Sequence, residues 1–224
     1  MSTNSRVCFV LPRSIQKEFK KQQLGSVDFV TFPDPWFDSV RAYNSLLLNR
    51  LFWVEFSAFD QIVICQTDAV LIKRISSFPT SDYDYIGAVW GTRRCRLSKG
   101  RISINSRSNY LFPHRKLVIG NGGLSVRRVK VCLEILNVVE GLPDGSLLQS
   151  GINPEDIVFA YFLKKLKYSV PAAKVANTVF MEDAAIGLSE IPDVYGFHDL
   201  PSKNLSLETK LFDYFKSGKY IKLC

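Results

Sequence analysis

Three short β-rich runs, residues 6–11, 27–32 and 61–65, separated by stretches long enough for helical crossovers, constrain the fold more than any other feature of the chain. The first ends at Pro12-Arg13 and the second at Pro33-Asp34-Pro35, so both read as core parallel strands. From 38 to about 56, Leu47, Leu48, Leu51, Trp53 and Val54 recur at helical spacing, with Asp38 or Ser39 placed to cap the start. That helix feeds the third run, which predicts a right-handed βαβ unit and an α/β domain whose central sheet is mostly parallel and flanked by helices.

At 224 residues, with 46% apolar and 12% aromatic residues, the chain suits one folded domain over 1–224. Its first residues lack the apolar core of a signal peptide, and no apolar run approaches the ~20 residues that span a bilayer, so a cytoplasmic protein is expected. Five cysteines, Cys8, Cys65, Cys95, Cys132 and Cys224, lie scattered without CxxC spacing, which argues against structural disulfides and a zinc site.

Further along, 83–90 reads as a mixed strand-like segment, 117–119 as a strand, and 125–139 and 156–166 as helices, the latter announced by Asn153-Pro154. A terminal helix over 207–222, carrying Leu211, Phe212, Phe215 and Tyr220, is expected to pack on the body or touch a membrane face. Between Trp90 and Val118 stand Arg93, Arg94, Arg96, Lys99, Arg101, Arg107, Arg115 and Lys116, with no acid among them, matching the whole net charge of +8. Their Ser/Asn/Gly-rich surroundings predict a long loop, either a solvated segment or a collector for an anionic acceptor, a phosphate or a membrane surface. No nucleic-acid-binding motif accompanies the charge, so nucleic acid is not expected as a partner. His114, within this stretch, reads as a surface residue.

Short polar islands follow several apolar runs: Gln66-Thr67-Asp68, Asn121-Gly122-Gly123, Pro154-Glu155-Asp156 and, further on, His198. The first stands at the carboxyl end of the 61–65 run, where open α/β sheets bind ligands, and one carboxylate there can hold a divalent cation and, through it, a diphosphate. Two glycines in a row permit a close backbone approach, and Ser125 is placed to cap the helix expected after them. Each island also has an ordinary structural reading as a strand-end cap, a turn or a helix start.

These motifs, with Tyr83-Asp84-Tyr85-Ile86-Gly87-Ala88, resemble GT-A nucleotide-sugar glycosyltransferases over residues 43–198, and more closely a microbial and viral group of GT-A-like domains. The resemblance implies a GT-A, Rossmann-like fold. Asp68 would coordinate Mn²⁺ or Mg²⁺ on the donor diphosphate, with His198 closing on the same metal. Gln66 stands where such enzymes usually carry a first acid; its amide can bond the ribose or a metal-bound water. Asn121, Gly122 and Gly123 would lie against the donor sugar or the acceptor. Asp156, with Glu155 as its substitute, would be the general base on the acceptor hydroxyl, and the reaction would invert the anomeric centre. Pro12, Arg13, Arg41, Tyr43, Asn44 and Thr67 fall where the nucleotide is held, and Asp84 and Trp90 are candidates to line the sugar or acceptor pocket.

The function so implied is transfer of a sugar from a nucleoside diphosphate, a UDP-sugar, to a glycan or lipid-linked acceptor in the cytoplasm or at the cytoplasmic face of a membrane. Two rivals stand beside it. The missing first acid at Gln66 suits an inactive GT-A-like module that binds nucleotide or glycan. A sugar nucleotidyltransferase would carry a Gly-rich phosphate loop after its first strand, and residues 11–21 contain no glycine.

Overall fold

The computed structural model describes residues 6–21, 27–98, 101–104, 115–142, 153–182 and 193–198, with positions 209 and 213; of residues 90–98, 101, 103, 104 and 115–119 it describes the backbone. The tail expected over 207–222 otherwise lies outside the described residues, as do Lys99, Arg107 and His114.

Strand β1 (Val7–Pro12), helix α1 (Gln16–Lys21) and strand β2 (Val27–Phe32) form a parallel pair with a helical crossover, in register from Val7 opposite Val27 to Pro12 opposite Phe32. The helix expected over 38–56 is two helices, α2 (Val40–Leu47) and α3 (Arg50–Glu55). Ser39 caps the first, its hydroxyl accepting from the Ala42 amide. Asn49 opens the second, its side chain accepting from the Leu51 amide, so a cap residue breaks an otherwise continuous apolar pattern.

Strands β3 (Gln61–Cys65) and β4 (Ala69–Leu71) come next, then β5 (Tyr85–Gly87), β6 (Val89–Ser98), β7 (Arg101–Ile104), β8 (Arg115–Ile119) and β9 (Leu124–Arg128). They are followed by α4 (Val129–Glu140), α5 (Glu155–Leu166), α6 (Ala173–Val179), β10 (Phe180–Met181) and β11 (Gly196–His198). The chain is therefore mixed α/β, but the mostly parallel sheet is not what forms. Among the described residues only β1 with β2 and β10 with β11 pair in parallel; β3 and β5 pair antiparallel with β9, β6 with β7 and β8, and β4 with β11. A short connection such as that from Ser98 of β6 to Arg101 of its partner β7 leaves no room for the long crossover that parallel neighbours need. The expected βαβ unit ending at residue 65 is likewise replaced, because β3 hydrogen-bonds to β9.

Two further expectations change. Residues 125–128 belong to β9, and the helix begins at Val129. Where the basic stretch is described, it forms strands β6, β7 and β8 of one antiparallel sheet in place of the expected loop; 99–100 and 105–114 lie outside the described residues.

Strand β9 is covered on both faces. Leu124 and Val126 pack into one cluster with Ile86, Ala88, Val179 and Phe180, while a larger cluster gathers Leu46, Leu47, Phe52 and Trp53 with Ile135 and Leu136 of α4 and Phe159 and Phe162 of α5. Trp53 stands edge-on to Phe159 at 5.5 Å and donates its indole N–H to the Leu47 carbonyl at 2.7 Å, so its one polar atom is satisfied inside the core. Truncating such a buried aromatic to alanine costs ~3–5 kcal/mol. No helix among the described residues is long and apolar enough to cross a membrane.

Candidate functional site

The Gln66-Thr67-Asp68 island is a tight turn: the Gln66 N–H donates to the Gly123 carbonyl at 2.9 Å, and the Ala69 N–H closes back on the Gln66 carbonyl at 3.0 Å. The strand that follows sets the geometry. In the antiparallel pairing of β4 with β11, Ala69 lies opposite His198; in the parallel pairing of β10 with β11, Met181 lies opposite Phe197. His198 therefore emerges between the turn at 66–68 on one side and Glu182 on the other.

The imidazole meets both. Its Nε2 is 3.2 Å from Gln66 Oε1 and 3.5 Å from Asp68 Oδ1; its Nδ1 is 3.1 Å from Asn121 Nδ2 and 3.3 Å from Glu182 Oε1. Asp68 is half-exposed and Thr67 exposed, whereas His198 is mostly covered. Asn121 is buried and fully engaged. Its Oδ1 accepts from the Gly123 N–H at 2.9 Å, which fixes the amide so that Nδ2 faces His198, and its backbone carbonyl accepts from the Tyr85 hydroxyl at 2.8 Å.

On the other flank of the Asn-Gly-Gly turn lies a buried ion pair. Arg127 and Glu155 meet fork to fork at 2.7 and 2.9 Å, and Arg127 also donates to the Ser125 hydroxyl at 2.9 Å and the Gly122 carbonyl at 3.1 Å. Rings of Trp53, Tyr85 and Phe159 surround the guanidinium within 6 Å. Burial works against its charge, but the Glu155 carboxylate, with Tyr85 and Cys132 adding to it, holds the Arg127 pKa above its ordinary value. Both Glu155 oxygens are thus occupied. Asp156, next on α5, is half-buried and accepts the Ile157 N–H at 2.7 Å; a Cβ added at Gly122 would stand 3.1 Å from Asp156 Cβ and 2.2 Å from Glu155 Oε1.

Helix α2 touches both flanks. Tyr43 hydrogen-bonds Gln66, and burial raises its hydroxyl pKa against the lowering effect of that bond; Asn44 accepts the Glu155 N–H at 3.3 Å. Arg41 lies exposed on the first turn of the same helix. The contacts at the Pro12-Arg13 strand end are with Phe32 and the turn after it, where the Ser14 N–H donates to Asp34. Asp84 accepts from Arg128 at 2.9 Å and from the Ser169 N–H at 2.8 Å, a staple between β5, β9 and the end of α5. Ser125, expected as a helix cap, donates instead to the Gly122 carbonyl at 3.1 Å from within β9. The Trp90 side chain lies outside the described residues.

Arg127 and Glu182 are absent from the sequence expectations. Arg127 sits in an alternating run, Leu124-Ser125-Val126-Arg127, one phase away from the apolar face. Glu182 follows the apolar Val179-Phe180-Met181, the same acid-after-strand pattern that marks Asp68.

Among the described residues no group of three or more His, Cys, Asp or Glu side chains is disposed to hold a metal ion. Asp68 and His198 with the Gln66 amide do offer two oxygens and a nitrogen on one side of the turn. That set fits a divalent ion shared with a ligand's phosphates better than one held by protein alone.

A mixed α/β fold with a composite polar site gathered at the ends of β3, β8 and β11 defines the class of the molecule. Within that class the chain belongs to the family described as a protein of unknown function, DUF5672, which matches residues 26–198. The match takes in every residue of the composite site and leaves out Pro12 and Arg13. No curated protein matches the chain.

Proposed function

We propose that the protein is a GT-A-like glycosyltransferase that moves a sugar from a nucleoside diphosphate, a UDP-sugar, to a glycan or lipid-linked acceptor. One observation carries the reading: Gln66 and His198, 132 residues apart, meet at 3.2 Å beside Asp68, and the Asn-Gly-Gly turn they lean on is the one that Asp156 approaches from the other flank. The four polar islands thereby lie around one turn. A Mn²⁺ or Mg²⁺ ion held by Asp68 and His198 would neutralise the charge that develops on the departing diphosphate.

The chain's own residues divide the remaining work. Tyr43 and Gln66 bind and orient the donor, whose sugar lies against the Asn-Gly-Gly turn, while the missing side chains at Gly122 and Gly123 make room for Glu155 and His198. Asp156 takes the proton of the acceptor hydroxyl as that oxygen attacks the anomeric carbon. The bond from that carbon to the diphosphate breaks with its electron pair leaving on phosphate oxygen, so the configuration inverts. Glu155, committed to Arg127, positions the start of α5.

Asp156→Asn keeps the shape and removes the proton acceptor, so transfer should fall on the order of 10²–10⁴-fold with donor binding nearly intact. Radiolabelled UDP-sugars with Mn²⁺ provide the assay, and nucleotide release by the wild type is the first requirement. A donor that binds and is never cleaved would assign a nucleotide-binding module instead, the reading that Gln66 in place of an acid favours. Unchanged transfer in Asp156→Asn would remove the base.

A further inference from the structure

The sheet formed by β6, β7 and β8 sorts its charges by face. Residues directly opposite in an antiparallel pair share a face, and successive residues alternate. The register places Arg94 opposite Lys116, Arg96 opposite Ser103 and Ser98 opposite Arg101. One face over this stretch therefore carries the positions Arg94, Arg96, Arg101 and Lys116 with Ser98 and Ser103, and no apolar residue. The other face takes Arg93 opposite Leu117, Cys95 opposite both Ile104 and Arg115, and Leu97 opposite Ile102. Ile102 is buried in the main core cluster, so the second face is the one turned to the body.

Four cationic positions share this face with no acid between Trp90 and Val118, whereas Arg93 and Arg115 on the other face stand among Cys95, Leu97, Ile102, Ile104 and Leu117, so the first face concentrates the sheet's positive charge toward an anion. Three of the four are arginine, whose planar fork suits phosphate oxygens. The face offers neither an aromatic platform for sugar stacking nor an apolar wedge. Strands spaced ~4.8 Å apart make it broad and flat, complementary to a plane of phosphate groups. It is also joined to the site, since Lys116 and Asn121 are five residues apart along the chain, no more than about 18 Å.

We propose that this face, through Arg94, Arg96, Arg101 and Lys116, docks the protein on an anionic phospholipid surface and holds the composite site at the edge of that surface. The docking stands whether or not the site transfers sugar, and it accounts for where a lipid-linked acceptor would be met.

Co-sedimentation of the full chain with vesicles of phosphatidylcholine alone, or of phosphatidylcholine with phosphatidylserine, tests it. Binding is expected only to the mixed vesicles and should vanish between about 0.1 M and about 1 M salt, as the screening length falls from ~10 Å to ~3 Å. Each basic residue near such a surface contributes about fivefold, so Arg94→Gln, Arg96→Gln, Arg101→Gln and Lys116→Gln together should weaken binding by several hundredfold. Should that variant fail to fold, Arg94→Gln with Arg96→Gln should still lose about 25-fold. Arg94→Lys, Arg96→Lys and Arg101→Lys together, which keep the charge, should retain binding. So should Lys164→Gln with Lys165→Gln, at the exposed end of α5. Equal binding to neutral vesicles, an equal loss in the α5 variant, or preferential capture by a single-stranded oligonucleotide would overturn the assignment.

Discussion

A Cβ on Gly123 would stand 1.9 Å from Nε2 of His198, so the imidazole occupies the space that any other residue at 123 would fill. Gly123→Ala should therefore push His198 away from Gln66 and Asp68. Calorimetric Mn²⁺ or donor affinity should fall on the order of 10–100-fold, while the melting temperature moves little because a ring at a strand end, beside the exposed turn at 67–68, can swing aside. An unaltered affinity would show that His198 does not bind there.

Gly122→Ala has the opposite signature. Its added methyl meets Glu155 Oε1 at 2.2 Å and Arg127 Nη2 at 2.9 Å, both buried in an ion pair that cannot move aside without losing partners. Urea unfolding should report a loss of ~1–3 kcal/mol, the usual cost of overpacking.

The ion pair itself gives a sharper comparison. Glu155→Gln or Arg127→Met leaves one buried charge without its partner and should cost ~3–5 kcal/mol, whereas Arg127→Met with Glu155→Leu should recover much of that loss. Asp156→Asn, one residue along, should cost under about 1 kcal/mol, the scale of a charge at a helix start. Equilibrium denaturation of the four variants separates the residue that holds the structure from the one assigned to chemistry.

Glu182→Gln tests the other side of His198. The carboxylate lies 3.3 Å from Nδ1, on the side of the ring away from the turn at 66–68, and helps hold the imidazole so that Nε2 faces Gln66 and Asp68. Mn²⁺ affinity, measured by calorimetry without any donor sugar, should drop about tenfold with the fold intact. Affinity equal to wild type would leave Glu182 with no part in setting the ring.

Alkaline pH should destabilise the fold before any acid transition of these groups matters. Burial raises the Cys132 thiol above its ordinary 9.0 and the Tyr85 and Tyr43 hydroxyls above their ordinary 10.0. The native state keeps these protons where the unfolded chain releases them, so their stabilisation is whole below about pH 9 and is lost as pH rises beyond it. The melting temperature should hold from pH 7 to about 8.5 and then fall, with a shallower slope in Cys132→Ala.

Much of this arrangement is legible in the residues, and the rest is hidden for definite reasons. The strands at 7–12, 27–32 and 61–65 announce themselves because each is a run of β-formers closed by a turn or proline signal, and the turn at 66–68 follows from the last of them. Residues 125–128 mislead because Ser125-Val126-Arg127-Arg128-Val129 carries a two-residue period that merges into the helical period after it. The basic stretch misleads in another way: Cys95 and Leu97 alternate with arginines, and Ile102 and Ile104 with serine, but glycine and serine around them imitate a loop. Strands β4, β10 and β11 are too short to leave any period. The acid at 182 follows an apolar run, but its place beside His198 cannot be read from sequence, since it depends on which short strands pair.

The Asn-Gly-Gly turn stands between two separately packed regions, one holding β4, β10 and β11 with His198, the other holding α5 with the Arg127–Glu155 pair. Such a layout is modular. Substitutions at Gln66, Asp68 or His198 fall in one half and substitutions at Asp156 in the other, so their effects on folding stability should add so long as residues 121–123 remain as they are.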